Sequence, residues 1–138
     1  MTNIHASCVA LGKKGILLIG PSGAGKSDLA LRLIEQTGAI LVSDDRTDLS
    51  VKNNRIYASC PENIKGLLEV RGIGIIKQKI KKEISVNLVV DLVKSLKDIE
   101  RLPSPDFWVF ETKKIKKIKI YPFEPSAVYK IRLACDEK

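Results

Sequence analysis

The chain has 138 residues, a formal net charge of +8, 44% apolar residues and 5% aromatic ones. That length suits one domain spanning residues 1–138, with a core of its own, and the apolar share excludes wholesale disorder. No apolar run reaches the roughly 18 residues of a membrane span, the opening MTNIHASC lacks the regions of a secretory signal, and the scattered Cys8, Cys60 and Cys135 suggest neither a disulfide framework nor a zinc site.

In chain order, residues 9–19 predict a pair of strands that turns at GKK and ends in the buried run from Ile16 to Ile19. GPSGAGKS, residues 20–27, fits the pattern G-x-x-x-x-G-K-[ST]. KSDLALRLIEQTG then has helical periodicity, with Leu29, Leu33 and Ile34 on one face and Gly38 as its stop. AILVS predicts a short buried strand that delivers Asp44 and Asp45 at its end. LSVKNNRIYAS alternates around Asn53-Asn54, a hairpin signal, and PENIKG predicts a short helical or turn segment. LLEVRGIGII is expected to be one strand with two glycines, and ISVNLVVDL another, buried one. KSLKDIERLPSP is helix or loop broken by prolines, FWVFETKKIKKIKIYPF an extended hairpin, and SAVYKIRLACDEK a closing helix with Ala127, Ile131 and Ala134 near one another. Strands outnumber helices, and few strand–helix–strand units follow the first. The fold class expected is α/β of an α+β-like kind: a mixed, largely antiparallel sheet carrying one helix that starts at the glycine-rich loop.

The loop carries the clearest chemistry. Gly20, Pro21, Ser22, Gly23, Ala24 and Gly25 form a turn whose N–H groups, with the dipole of the following helix, can cradle a polyphosphate. Lys26 can reach the β- and γ-phosphates and Ser27 can ligate Mg²⁺, which implies ATP and Mg²⁺. The motif does not say whether the phosphate is hydrolysed, passed to a small molecule or passed to a protein. LVSDD supplies acidic residues of the kind a metal-phosphate site needs at a strand end. Adjacent strand side chains point to opposite faces, so Asp44 and Asp45 divide between metal and acceptor, unless DDR merely begins a turn. Glu69 and Arg71 alternate with Leu68 and Val70, which suits either a metal or phosphate site or a salt-bridged sheet edge. His5 is the single histidine, and alone it reads more readily as an ordinary surface or core residue than as a catalytic one. The lysine-rich stretches at 77–83 and 113–119 form a solvated face or a dock for an acidic protein. Aromatic residues do not interleave with them, so nucleic acid is not an expected partner.

Together these stretches resemble the catalytic domain of HPr kinase/phosphorylase. That family has a histidine fifteen residues before its loop, as His5 stands to Gly20, then a strand ending in Asp-Asp-Arg and the signature E-[IV]-R-G-[LI]-G-I-I, here Glu69 to Ile76. The resemblance covers about the first three-quarters of the chain. It implies a sheet similar to the nucleotide-binding part of phosphoenolpyruvate carboxykinase. It also implies a Mg-ATP-dependent serine kinase acting on an HPr-like phosphocarrier protein in the cytoplasm, with weak reverse phosphorylase activity and a homo-oligomeric, hexameric assembly. Ser27 with Glu69, joined by Asp44, would hold the metal. Asp45 would accept the serine proton, His5 would sit at the active site, and Arg101, in ERLP, would stand where the family has an arginine in D-R-L-G.

Three departures accompany the resemblance. The chain starts almost at His5, as in the family's short form. The segment before Arg101 is short, so the acceptor-binding loop is reduced. EPSA at 124–127 replaces a G-R-N region tied to dephosphorylation. The competing readings are a small-metabolite kinase or NTPase, and a nucleotide-sensing regulatory module without turnover.

Overall fold

The computed structural model describes residues 1–136. Its strands are β1 (Thr2–Ile4), β2 (Ala6–Leu11), β3 (Lys14–Ile19), β4 (Ile40–Ser43), β5 (Thr47–Lys52), β6 (Arg55–Ser59), β7 (Leu67–Val70), β8 (Gly74–Lys77), β9 (Glu83–Leu92), β10 (Asp106–Phe110) and β11 (Lys113–Ile120). Two α-helices join them, α1 (Lys26–Thr37) and α2 (Ala127–Asp136). Nine strands form one sheet in the order β1-β5-β6-β9-β3-β2-β4, with β11 also beside β9 and β10 beside β11. Among the strands named, β3–β9 and β9–β11 pair in parallel and the other pairings are antiparallel, as the run of strands without helices predicts; one isolated parallel bridge joins Leu41 to Ile80.

The long β9 organises this sheet. Its first residues, Glu83 to Ser85, pair with β6, while Val89 to Leu92 pair with β11. Its other edge pairs with β3 from Gly15 to Ile19. The parallel strands β3, β9 and β11 therefore end at the same edge of the sheet.

Alternation along the strands divides the core into two. Ile16, Leu18, Leu88 and Val90 pack with Leu29, Leu33 and Ile131 of the helices. Leu17 and Val89, one residue out of step, pack with Cys8, Val42, Leu49, Ile56 and Ile115. The second cluster has no helix; β5 and β6 touch β2 and β4, far from them in strand order, so the sheet coils over its own face. Trp108 and Phe110, stacked with ring centroids 5.8 Å apart, pack against that cluster.

Helix α1 begins at Gly25, whose φ of 103° a side chain would resist, and stops at Gly38, whose amide donates to the Ile34 carbonyl at 3.2 Å. Asn53 and Asn54 both have positive φ, which gives the two-residue turn expected between β5 and β6. The stretch LLEVRGIGII differs from expectation. It is a hairpin, β7 then β8, closed where the Ile73 amide donates to the Val70 carbonyl at 3.0 Å. Gly72 sits in the turn and Gly74 opens β8, so neither marks a close approach within one continuous strand. Arg71 accordingly sits in that turn, and among the described residues no ion pair joins it to Glu69. Residues 62–64 and 96–98 are single 3₁₀ turns, and β1 is an element that the sequence pattern did not suggest. Of the closing helix, Ala127 and Ile131 are buried and Ala134 is half-buried; Glu137 and Lys138 lie outside the described residues.

Gly15 marks a register shift between β3 and β9, and a Cβ there would lie 2.6 Å from the Ser85 carbonyl oxygen and 2.8 Å from Ile84 Cγ2. Gly15→Ala is expected to lower stability by about 1–3 kcal/mol through overpacking, read as a fall of several degrees in the thermal unfolding midpoint. An unchanged midpoint would contradict this close packing.

Candidate phosphate site and aspartate pair

The glycine-rich loop leaves the end of β3 and enters α1, as the motif requires. Its turn is closed by the Ala24 amide donating to the Pro21 carbonyl at 3.1 Å. Lys26 is buried, and its Nζ donates to the carbonyls of Gly20 at 2.7 Å and Pro21 at 2.9 Å. Burial pulls this ammonium below its usual range, while the negative charges of Asp45 and Asp44 act in the opposite direction. Among the described residues no carboxylate lies within ion-pair distance of it. A cation held by neutral carbonyls in a glycine-rich loop at a helix N-terminus suits an anion.

Asp44 and Asp45 do separate, but a turn separates them rather than strand alternation. β4 ends at Ser43, and the Arg46 amide donates to the Asp44 carbonyl at 2.8 Å across Asp45, which has φ 71°. This is the rarer γ-turn with positive φ, a conformation that Asp and Asn tolerate better than most residues. Asp44 is turned inward. Its Oδ1 accepts from Ser27 Oγ at 2.7 Å and from Ser7 Oγ at 2.8 Å, and its Oδ2 accepts from the Glu69 amide at 3.4 Å. Asp45 is turned outward, 67% exposed, with Oδ1 2.9 Å from Nε2 of His5. His5 lies at the bend between β1 and β2, so its ring reaches Asp45 across the sheet edge.

The structure thus brings together His5, Lys26, Ser27, Asp44 and Asp45. Glu69 arrives through its amide, and its exposed carboxylate makes no hydrogen bond or ion pair among the described residues. Arg101 is exposed in the segment between β9 and β10 and bonds to none of the others. Ser7 is the participant that the sequence did not reveal. Fully buried on β2, it donates to Asp44 and accepts from the Asp45 amide at 3.1 Å, so one hydroxyl sets both aspartates. Its only signal was a small polar residue within an apolar strand two positions after the histidine.

A glycine-rich loop of the phosphate-binding kind, at the end of a central strand and beside an inward and an outward carboxylate, defines the class: an α/β phosphate-site domain on a mixed sheet. Within that class the chain belongs to the HPr serine kinase C-terminal domain family, whose model matches residues 1–126. It is 42% identical over 100 residues to the HPr kinase/phosphorylase of Leptothrix cholodnii, covering 64% of this chain and 30% of that one. To that of Variovorax paradoxus it is 36% identical over 114 residues, covering 75% and 35%. The chain spans about a third of the length of the curated relatives it matches. Among solved structures it is similar to the Hpr(Ser) kinase/phosphatase from Coxiella burnetii, with a TM-score of 0.81 and 29% identity, covering 97% of this chain and 92% of that one. The family match reaches further toward the C-terminus than the motifs alone indicate.

Ser7→Ala is expected to strip Asp44 of a donor and the Asp45 amide of its acceptor. Leaving buried groups unpaired costs about 1–3 kcal/mol, so thermal unfolding should shift downward by several degrees. A variant as stable as the parent would show that neither bond matters to the folded state.

Proposed function

We propose that the chain is the single catalytic domain of a Mg-ATP-dependent protein kinase that phosphorylates a serine of an HPr-like phosphocarrier. The observation that carries this reading is the division between Asp44 and Asp45. One carboxylate is buried against the loop helix; the other is exposed beside it and held by a histidine. An exposed, oriented carboxylate next to a phosphate site has the placement of a base for an incoming hydroxyl. The family membership and the names of the relatives support the same acceptor.

The residues fit Mg²⁺ by their chemistry. Ser27 Oγ and Asp44 Oδ1 are hard oxygen ligands 2.7 Å apart, and Glu69, whose amide donates to Asp44 Oδ2, lies beside them. Among the described residues no cluster of three or more His, Cys, Asp or Glu is arranged to hold a metal alone. Mg²⁺ commonly takes only one or two carboxylates, the remainder being water and phosphate oxygens. Bound there, the ion would neutralise charge on the phosphates. The protein's own part is separate. Lys26 exchanges the Gly20 and Pro21 carbonyls for phosphate oxygens, and the loop amides fix the triphosphate. In the tautomer that carries its proton on Nε2, His5 donates to Asp45 Oδ1 at 2.9 Å, which leaves Oδ2 for the substrate. The serine oxygen then bonds to the γ-phosphorus as the bond to the ADP oxygen breaks, and the serine proton passes to Asp45.

Arg101 can join the phosphates or the acceptor only if its segment moves, and we assign it that role on the family resemblance. The cytoplasm and a homo-oligomer rest on the same resemblance. No helix among the described residues is long and apolar enough to cross a membrane. The segment that replaces the dephosphorylation motif is occupied otherwise, since Glu124 pairs with Lys130 of α2 at 2.6 Å. Forward transfer should therefore exceed phosphorolysis.

The test is incubation with γ-labelled ATP, Mg²⁺ and the phosphocarrier, followed by phosphorylated carrier with excess inorganic phosphate. The expected result is labelled phosphoserine on the carrier and only slow release of pyrophosphate in the second step. Label released as free phosphate, with or without carrier, would indicate an NTPase. Tight ATP binding with no turnover would indicate a sensor.

A further inference from the structure

The parallel strands β3, β9 and β11 deliver their carboxyl ends to one edge, where open α/β sheets bind ligands. The end of β3 carries the phosphate loop, with Asp44 and Asp45 on the side toward β2 and β4. On the other side lie the ends of β9 and β11. There a recess of about 150 Å³ is lined by Ser22, Gly23, Ala24, Val93, Lys94 and Phe123. That is the size at which an apolar cavity accommodates an aromatic ring.

Phe123 forms one wall and is 60% exposed. The ring is held in place. Arg32 Nη2 of α1 donates to the Pro122 carbonyl at 2.6 Å, and the Glu124 amide donates to the Tyr121 carbonyl at 3.2 Å. Tyr121 meets the Phe123 ring edge to face at 5.7 Å. The same ring touches the loop, because a Cβ on Gly25 would lie 3.3 Å from Phe123 Cζ. An aromatic face is thus fixed, largely uncovered, and contiguous with the phosphate loop on the side away from the carboxylates.

We infer that this recess is the nucleobase subsite, with the base of a nucleoside triphosphate stacked on Phe123. The inference rests on the phosphate-loop reading above and adds where the rest of the nucleotide goes. It leaves the Asp45 side of the edge open for the acceptor. Recognition is mainly by stacking, since Ser22 and Lys94 are the only polar side chains of the recess wall.

The test compares ATP with inorganic tripolyphosphate, each with Mg²⁺, by calorimetry on wild type, Phe123→Ala and Phe123→Trp. Losing one base-stacking contact should weaken ATP binding by about ten- to a hundredfold, while tripolyphosphate, which has no base, binds Phe123→Ala as it binds wild type. Phe123→Trp should keep wild-type ATP affinity, and its indole emission should respond to ATP but not to tripolyphosphate. Equal loss of both ligands in Phe123→Ala would mean that the ring only braces the loop, and would overturn the inference. Unchanged ATP binding, or no rescue by tryptophan, would overturn it too. If wild type bound neither ligand, the phosphate-loop reading would fail and this inference with it.

Discussion

Asp44 is a buried carboxylate whose three donors come from three elements: Ser7 on β2, Ser27 on α1 and the Glu69 amide on β7. A buried charge without such partners costs several kcal/mol, so the fold is obliged to keep β2, the loop helix and the β7–β8 hairpin together. The constraint also sets the position of Asp45. With Asp44 fixed inward and β4 ended, the γ-turn carries the next carboxylate outward to His5. A single anchored residue therefore positions the Ser27 hydroxyl, the exposed carboxylate and the signature hairpin relative to the glycine-rich loop.

The sheet supplies the other half of the geometry. Mostly antiparallel pairing lets short hairpins build the wide, coiled sheet that packs a second core against itself. Three parallel strands are nevertheless kept at the centre, and their ends give one edge with three neighbouring places. The middle suits phosphates, the β2–β4 side suits an acceptor hydroxyl, and the β9–β11 side suits a base. Lys26 stands at the middle place, held by carbonyls that a phosphate can replace.

Much of this was legible in the sequence, where local rules decide. The loop motif, its flanking strand and helix, the Asn53-Asn54 turn and the two aspartates all follow from short stretches whose physics is local. The resemblance to the family rested on four such stretches in order. What was not legible depends on distant pairing. Nothing in residues 83–92 shows that one strand will serve β6, β3 and β11 at once. The glycines of LLEVRGIGII read as strand interruptions because an alternating pattern continues on both sides of the turn that they make. Ser7 precedes the strand pair expected from residue 9 and carried no reading of its own, since its meaning depends on a residue thirty-seven positions away. Arg101 was placed by motif alone, and its exposed segment makes no contact with the other site residues.

The most direct test of the aspartate division is a paired measurement on Asp44→Asn and Asp45→Asn: the dissociation constant for Mg-ATP and the single-turnover rate of transfer to the phosphocarrier. Asparagine keeps the shape, and at position 45 it also tolerates the positive φ. Asp45→Asn should bind Mg-ATP as wild type does and transfer phosphate about 10²–10⁴-fold more slowly, the usual worth of general-base assistance. Asp44→Asn should weaken Mg-ATP binding first. Wild-type transfer by Asp45→Asn, or equal loss of binding in both variants, would contradict the account.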